Sequence, residues 1–173
     1  MQRVAPQVLK ELETMRVLIV DDEPTMRKVA RSLLQVIGIR TIYEAKDGRS
    51  GLEAIQKWGP DLVILDWEMP SLNGAEFIRQ VRSPVNFPYP DVPIIMLTAY
   101  GERSRVIAAA ELGVNEVLLK PVSSRVLFER IVSMIVNPRR MVRKGDYYGP
   151  EPRKLSSYKV GPDPALSDLV FID

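Results

Sequence analysis

The stretch Leu62-Val63-Ile64-Leu65-Asp66-Trp67-Glu68-Met69-Pro70 decides how this chain folds. Four apolar residues run straight into an aspartate, with no polar residue alternating among them. Such a run reads as a strand buried on both faces. An ionised carboxylate is expensive to bury unpaired. Asp66 must therefore stand where the strand runs out and where water or a cation can reach it.

The neighbouring sequence repeats the pattern. Arg16-Val17-Leu18-Ile19-Val20 is a second apolar run, closed by Asp21-Asp22-Glu23-Pro24. Met26, Val29, Ala30, Leu33, Leu34 and Ile37 then recur at helical spacing until Gly38 stops them. Residues 41–45, 93–97 and 116–119 read as further strands. Leu52, Ile55 and Trp58 mark a second helix, and Asn73 caps a third that carries Ile78 and Val81. Val106, Ala109, Ala110 and Leu112 mark a fourth. Leu127, Ile131, Met134 and Ile135 mark a fifth, opened by Ser123 or Ser124. Strand and helix thus alternate five times. The expected class is α/β, a doubly wound parallel sheet with helices on both faces. In such sheets ligands sit at the carboxyl ends of the strands.

Just past those ends stand Asp21 and Asp22, Asp66, Thr98 and Lys120. Any one of these aspartates reads most simply as a turn former or a helix cap. All five polar residues on one sheet edge do not. Converging carboxylates repel by roughly 4 kcal/mol per pair at about 4 Å and an effective dielectric near 20. A divalent cation and the Lys120 ammonium would offset that repulsion.

Composition narrows the chemistry. The 173 residues contain no Cys and no His. That removes disulfides, thiolate or imidazole metal ligands, His general bases and a phosphohistidine on this chain. A metal here is held by oxygen, which favours Mg²⁺. Asp21, Asp22 and Asp66 supply such oxygens, with Lys120 and Thr98 as a cation and a hydroxyl opposite. The group this arrangement suits is a dianion such as a phosphoryl, and an aspartate can itself be the nucleophile that forms an acyl phosphate. Positioning and charge neutralisation would carry the catalysis.

These motifs resemble the receiver domain of two-component response regulators, of the chemotaxis type. The resemblance covers roughly residues 15–136. It rests on VLIVDDEP (17–24), LVILDWEMPSLNG (62–74), IIMLTAY (94–100) and LLKP (118–121), which stand in the family's order. It implies a flavodoxin-like sheet of strand order 2-1-3-4-5. It implies Asp66 as phosphoacceptor, served by a histidine kinase or a histidine phosphotransfer protein. Asp22 and Asp66 would bind Mg²⁺ directly, Asp21 through water, and the Glu68 main-chain carbonyl would also ligate. Lys120 would pair with the phosphoryl group and Thr98 would hydrogen-bond to it, with a cis peptide at Lys120-Pro121 aiming the ammonium. Met69, Pro70 and Gly74 fit the family's loop after the acceptor.

Phosphorylation would switch the surface of the fourth helix, fifth strand and fifth helix. That surface would receive an unidentified downstream protein, and in the family it is also the usual homodimer face. One position departs from the pattern. Val117 stands where the family's switch has Tyr or Phe, so there is no ring here to swing inward when Thr98 moves. Tyr100 is the candidate substitute, although a loop aromatic is the simpler reading. The chain would not be a turnover enzyme beyond accepting and losing its own phosphoryl group.

Three regions follow: an N-terminal extension at 1–14, the receiver at 15–137 and a tail at 138–173 too short for a standard output domain. Val8, Leu9 and Leu12 suggest a short amphipathic helix that either pairs with another chain or frays. Loop 83–93 holds four prolines with Phe87 and Tyr89 between them. Residues 137–154 carry six basic against two acidic side chains, a net of +4, while 155–173 carry a net of −2. Such a basic run is usually a solvated linker, and the prolines argue against long regular elements. ALSDLVFID (165–173) reads as a docking segment. The alternatives to a single-domain response regulator are a nucleic-acid-binding regulator using the basic tail, a phosphorelay shuttle or sink, and a hydrolase with Asp66 as nucleophile. No stretch is apolar enough to span a bilayer and no signal peptide opens the chain, so a cytoplasmic protein without membrane partners is expected.

Overall fold

The computed structural model describes residues 4–99, 101 and 103–153. Five strands form one parallel sheet: β1 (Arg16–Val20), β2 (Thr41–Ala45), β3 (Leu62–Asp66), β4 (Ile94–Thr98) and β5 (Glu116–Leu119). Their order is β2-β1-β3-β4-β5, as the resemblance implied. The apolar runs bury both faces because successive side chains point to opposite sides. Val17, Ile19, Ile64 and Leu97 face the helices α1 (Pro6–Thr14), α2 (Pro24–Ile37) and α6 (Ser124–Val136), where Leu12, Leu34, Leu127 and Ile131 meet them. Leu18, Val63, Leu65 and Met96 face α3 (Gly48–Trp58), α4 (Gly74–Val81) and α5 (Arg103–Leu112), meeting Ile55, Phe77, Ile78 and Val106. Fully buried anchors such as Leu34 and Ile55 each contribute roughly 1.5–3 kcal/mol.

Local signals end the helices where the sequence places them. Asn73 caps α4 by accepting from the Glu76 N–H, and Ser123 caps α6 through the Val126 N–H. Asp47 and Ser50 form a reciprocal capping box at α3. Gly38 closes α2 at φ 105°, a left-handed conformation that suits glycine. The N-terminal helix does not project as a free pairing arm. Val8 and Leu12 are buried and the helix rests on α6, while Leu9 faces outward.

The described part of the tail is folded. Strands β6 (Met141–Lys144) and β7 (Tyr147–Pro150) form an antiparallel hairpin, with Lys144 opposite Tyr147 and Gly145 at φ 60° in the turn. Four-residue strands fit between Pro138 and Pro150, which is why prolines do not exclude them. Residues 154–173, including the segment 165–173, lie outside the described residues.

The hairpin packs so closely that two glycines touch across the contact. A Cβ added to Gly149 would lie 2.8 Å from the Gly113 Cα, and one added to Gly113 would lie 2.8 Å from the Tyr148 carbonyl oxygen. Gly113 also has φ +100°. Gly113→Ala is therefore expected to destabilise the protein by about 1–3 kcal/mol, lowering Tm by several degrees and loosening the hairpin. A thermal melt within about 1 °C of wild type would show that the hairpin does not depend on this contact.

Candidate functional site

The parallel register brings the strand ends level. Asp66 pairs with Leu97 and Thr98 with Leu119, so β3, β4 and β5 finish on one edge. Asp66 and Thr98 are the last residues of their strands rather than the first beyond them. Asp21 and Asp22 follow β1, and Lys120 follows β5. Each of Asp21, Asp22 and Asp66 offers a carboxylate oxygen, and these oxygens lie within 4.8 Å of one another. The Lys120 ammonium lies 3.0 Å from Asp66 Oδ1 and 3.7 Å from Asp21 Oδ2. The Lys120-Pro121 peptide is cis, and the Lys120 N–H donates to the Thr98 carbonyl at 2.8 Å.

Asp66 is only 8% exposed. Burial raises its pKa above the ordinary aspartate value, and the bond and field of Lys120 only partly offset this. For Lys120, burial pulls the pKa down, but the Asp66 hydrogen bond and the fields of Asp66, Asp21 and Glu23 together raise it. The ammonium therefore stays charged through neutral pH. One of the simpler readings is also realised, because Asp21 Oδ1 accepts from the Glu23 N–H at 2.9 Å. Asp21 both shapes the turn and faces the cluster.

The remaining residues of the sequence reading fall around this cluster. Glu68 follows β3, its main-chain N–H bonding to Asp66. Its side chain points away, 3.8 Å from Arg105 Nη1. The loop turns tightly: a Cβ on Gly74 would sit 2.9 Å from the Trp67 Cα. Val117 is fully buried in the core, and Tyr100 lies outside the described residues. A contact near both positions was not visible in the sequence. A Cβ on Gly101 would lie 2.8 Å from Leu119 Cδ1, so Gly101 rests on the end of β5. Arg27 was also missed. Its guanidinium donates to the Asp21 carbonyl at 2.8 Å and lies 3.5 Å from Glu44 Oε1.

Three carboxylates face one ammonium here, and Arg27 bonds only the main chain of Asp21. The donor set is all oxygen, partly buried and anionic in excess, which fits a hard divalent cation such as Mg²⁺. Protons would compete with such a cation for Asp66. Because the Asp66 pKa is raised, Mg²⁺ affinity is expected to begin falling at a higher pH than for an ordinary aspartate of about 3.9. A Mg²⁺ titration followed by the fluorescence of Trp67, repeated at falling pH, reads this directly. An affinity that holds constant into the range of a free carboxylate would contradict it.

A family model described as the response regulator receiver domain matches residues 17–132. The chain belongs to this family. Among its relatives, the receiver is 34% identical over 119 residues to chemotaxis protein CheY-3 of Vibrio cholerae, covering 69% of this chain and 90% of the relative. It is 37% identical over 117 residues to chemotaxis protein CheY of Pseudomonas aeruginosa, covering 68% and 93%. Among solved structures, a candidate response regulator from Chloroflexus aurantiacus superposes with a TM-score of 0.65 at 32% identity, covering 71% of this chain and 98% of that one. Chemotaxis protein CheY4 of Vibrio cholerae gives 0.61 at 32% identity, covering 68% and 95%. This is a CheY-like receiver, and two-component signalling is its setting. Among the described residues no helix is long and apolar enough to cross a membrane.

Proposed function

We propose that this receiver acts as a response regulator by accepting a phosphoryl group from a phosphohistidine onto Asp66. The observation that carries the reading is the Lys120 ammonium 3.0 Å from Asp66 Oδ1, beside carboxylates gathered within 4.8 Å. An Asp66 oxygen attacks phosphorus, the new O–P bond forms, and the P–N bond breaks with its electrons returning to the partner's imidazole. Lys120 neutralises the phosphoryl oxygens and the Thr98 hydroxyl donates to them. Asp22, Asp66 and the Glu68 carbonyl would hold Mg²⁺, with Asp21 acting through water. Bound Mg²⁺ would supply charge neutralisation for the transferring group.

The donor is a histidine kinase or a histidine phosphotransfer protein. The output is a change on the α5-β5-α6 surface, which a downstream protein reads and where a second copy can pair. In this reading the protein accepts and loses its own phosphoryl group and turns over no other substrate. A relay shuttle would use the same site and differ only in passing the group on. Nucleic-acid binding by the basic segment draws no support from Arg139 or Arg153. Arg139 donates to the Asn115 and Glu151 carbonyls, and Arg153 pairs with Glu116.

The test is a small phosphodonor with and without Mg²⁺, read by intact mass. One added phosphoryl, dependent on Mg²⁺ and lost in Asp66→Ala, is the expected result. Turnover of an external phosphoester without a stable adduct would instead favour a hydrolase.

A further inference from the structure

The hairpin and the residues flanking it, 139–153, hold both α5 and the start of β5. The Arg153 guanidinium makes two bonds to the Glu116 carboxylate, at 2.7 and 3.2 Å. Glu116 opens β5 and is only 2% exposed. Arg139 donates to the Asn115 carbonyl, and the Tyr148 hydroxyl donates to the Asp91 carboxylate. Gly149 lies against Gly113, just past the last turn of α5. Between α5, β5 and the hairpin lies a groove of about 410 Å³. At the opposite end of β5, Gly101, between Thr98 and α5, lies against Leu119. The helix thus follows Gly101, which rests on the end of β5 beside the phosphorylation site, and meets the hairpin at its far end.

We propose that the hairpin is a latch: its seating on α5 and β5 opposes phosphorylation of Asp66, and phosphorylation loosens it. The proposal rests on the phosphoacceptor reading above. When Thr98 is drawn to a phosphoryl group, its linker moves and carries the start of α5 with it. The groove gives the helix space to shift, and a shift at its far end pulls on the Gly149–Gly113 contact and on the Arg153–Glu116 pair. A buried two-bond ion pair does not stretch by degrees; it is made, or it is broken and Glu116 must find water. That gives the element two discrete arrangements, as a switch requires. Because coupling is reciprocal, weakening the latch must favour the phosphorylated state by the factor with which phosphorylation weakens the latch.

The test is hydrogen–deuterium exchange on the full chain, with and without a small phosphodonor in Mg²⁺. Intact mass measures how much of the protein carries the adduct. The expected result is hairpin amides in 141–150 exchanging faster by on the order of tenfold when phosphorylated. In a second arm, Arg153→Gln should bind beryllofluoride, a phosphoryl mimic, more tightly than wild type by a similar factor. Unchanged hairpin exchange in protein that is mostly phosphorylated overturns the latch and leaves the Asp66 reading standing. Equal beryllofluoride affinity in the folded variant does the same. Absence of any adduct on wild type overturns both.

Discussion

Arg82→Ala is expected to destabilise this protein by about 4 kcal/mol, a large part of the 5–15 kcal/mol that holds a typical domain together. Arg82 caps the C-terminal end of α4 and is only 6% exposed. Its guanidinium has no carboxylate partner among its hydrogen bonds. It donates to the carbonyls of Gly113 at 2.8 Å, Pro90 at 2.6 Å and Val92 at 2.7 Å, and to Asn115 Oδ1 at 3.1 Å. Those acceptors tie the loop after α4 to the turn between α5 and β5. Burial lowers the Arg82 pKa to about 10, so the group stays a cation at neutral pH and keeps all its donors. Alanine would leave the buried carbonyls of Gly113 and Val92 and the half-buried one of Pro90 without this donor, each buried one costing about 1–3 kcal/mol, and a cavity as well. A Tm drop of roughly 10 °C follows for a chain of this size. Lysine should recover only part of the loss, because a point charge cannot serve four acceptors set for a planar fork. A Tm for Arg82→Ala within about 2 °C of wild type would mean that water replaces the guanidinium at little cost.

Lys120→Ala is expected to slow acyl-phosphate formation by roughly 100-fold, the scale of losing one preorganised group that stabilises developing charge. The same change should leave Mg²⁺ affinity equal or higher. The ammonium sits 3.0 Å from Asp66 and 3.7 Å from Asp21, where it competes with a divalent cation for the same carboxylates. The two readouts separate a role in phosphoryl transfer from a role in holding the site together. Loss of Mg²⁺ binding alongside loss of the adduct would assign Lys120 to structure. Arginine is no substitute here, because its wider fork does not fit a space shaped for a point charge.

The sheet and its acidic edge could be read from the chain because both depend on local pattern. Continuous apolar runs ended by Asp21, Asp66, Thr98 and Lys120 carry strand, burial and edge in the same few residues. Arg82 carried no such signal. It follows Val81 in a helix that otherwise shows ordinary amphipathic spacing, and its acceptors lie 8 to 33 residues away. The hairpin was hidden for a related reason. Its strands are four residues long, too short for a period to register, and Glu116, which receives Arg153, is 37 residues earlier. A basic segment whose counter-ions are distant in sequence looks like a solvated tail. Val117 shows in the sequence that the switch position has no ring, but the Gly101–Leu119 contact arises from a close approach that composition does not reveal.

The central claim is that Asp66 becomes the acyl phosphate. Reduction of the phosphorylated protein with borohydride converts an acyl phosphate to the corresponding alcohol, and peptide mass mapping then locates it. The account predicts conversion at Asp66 alone, requiring Mg²⁺ during phosphorylation. Conversion at Asp21 or Asp22, or none at all in protein that binds Mg²⁺ normally, would contradict it.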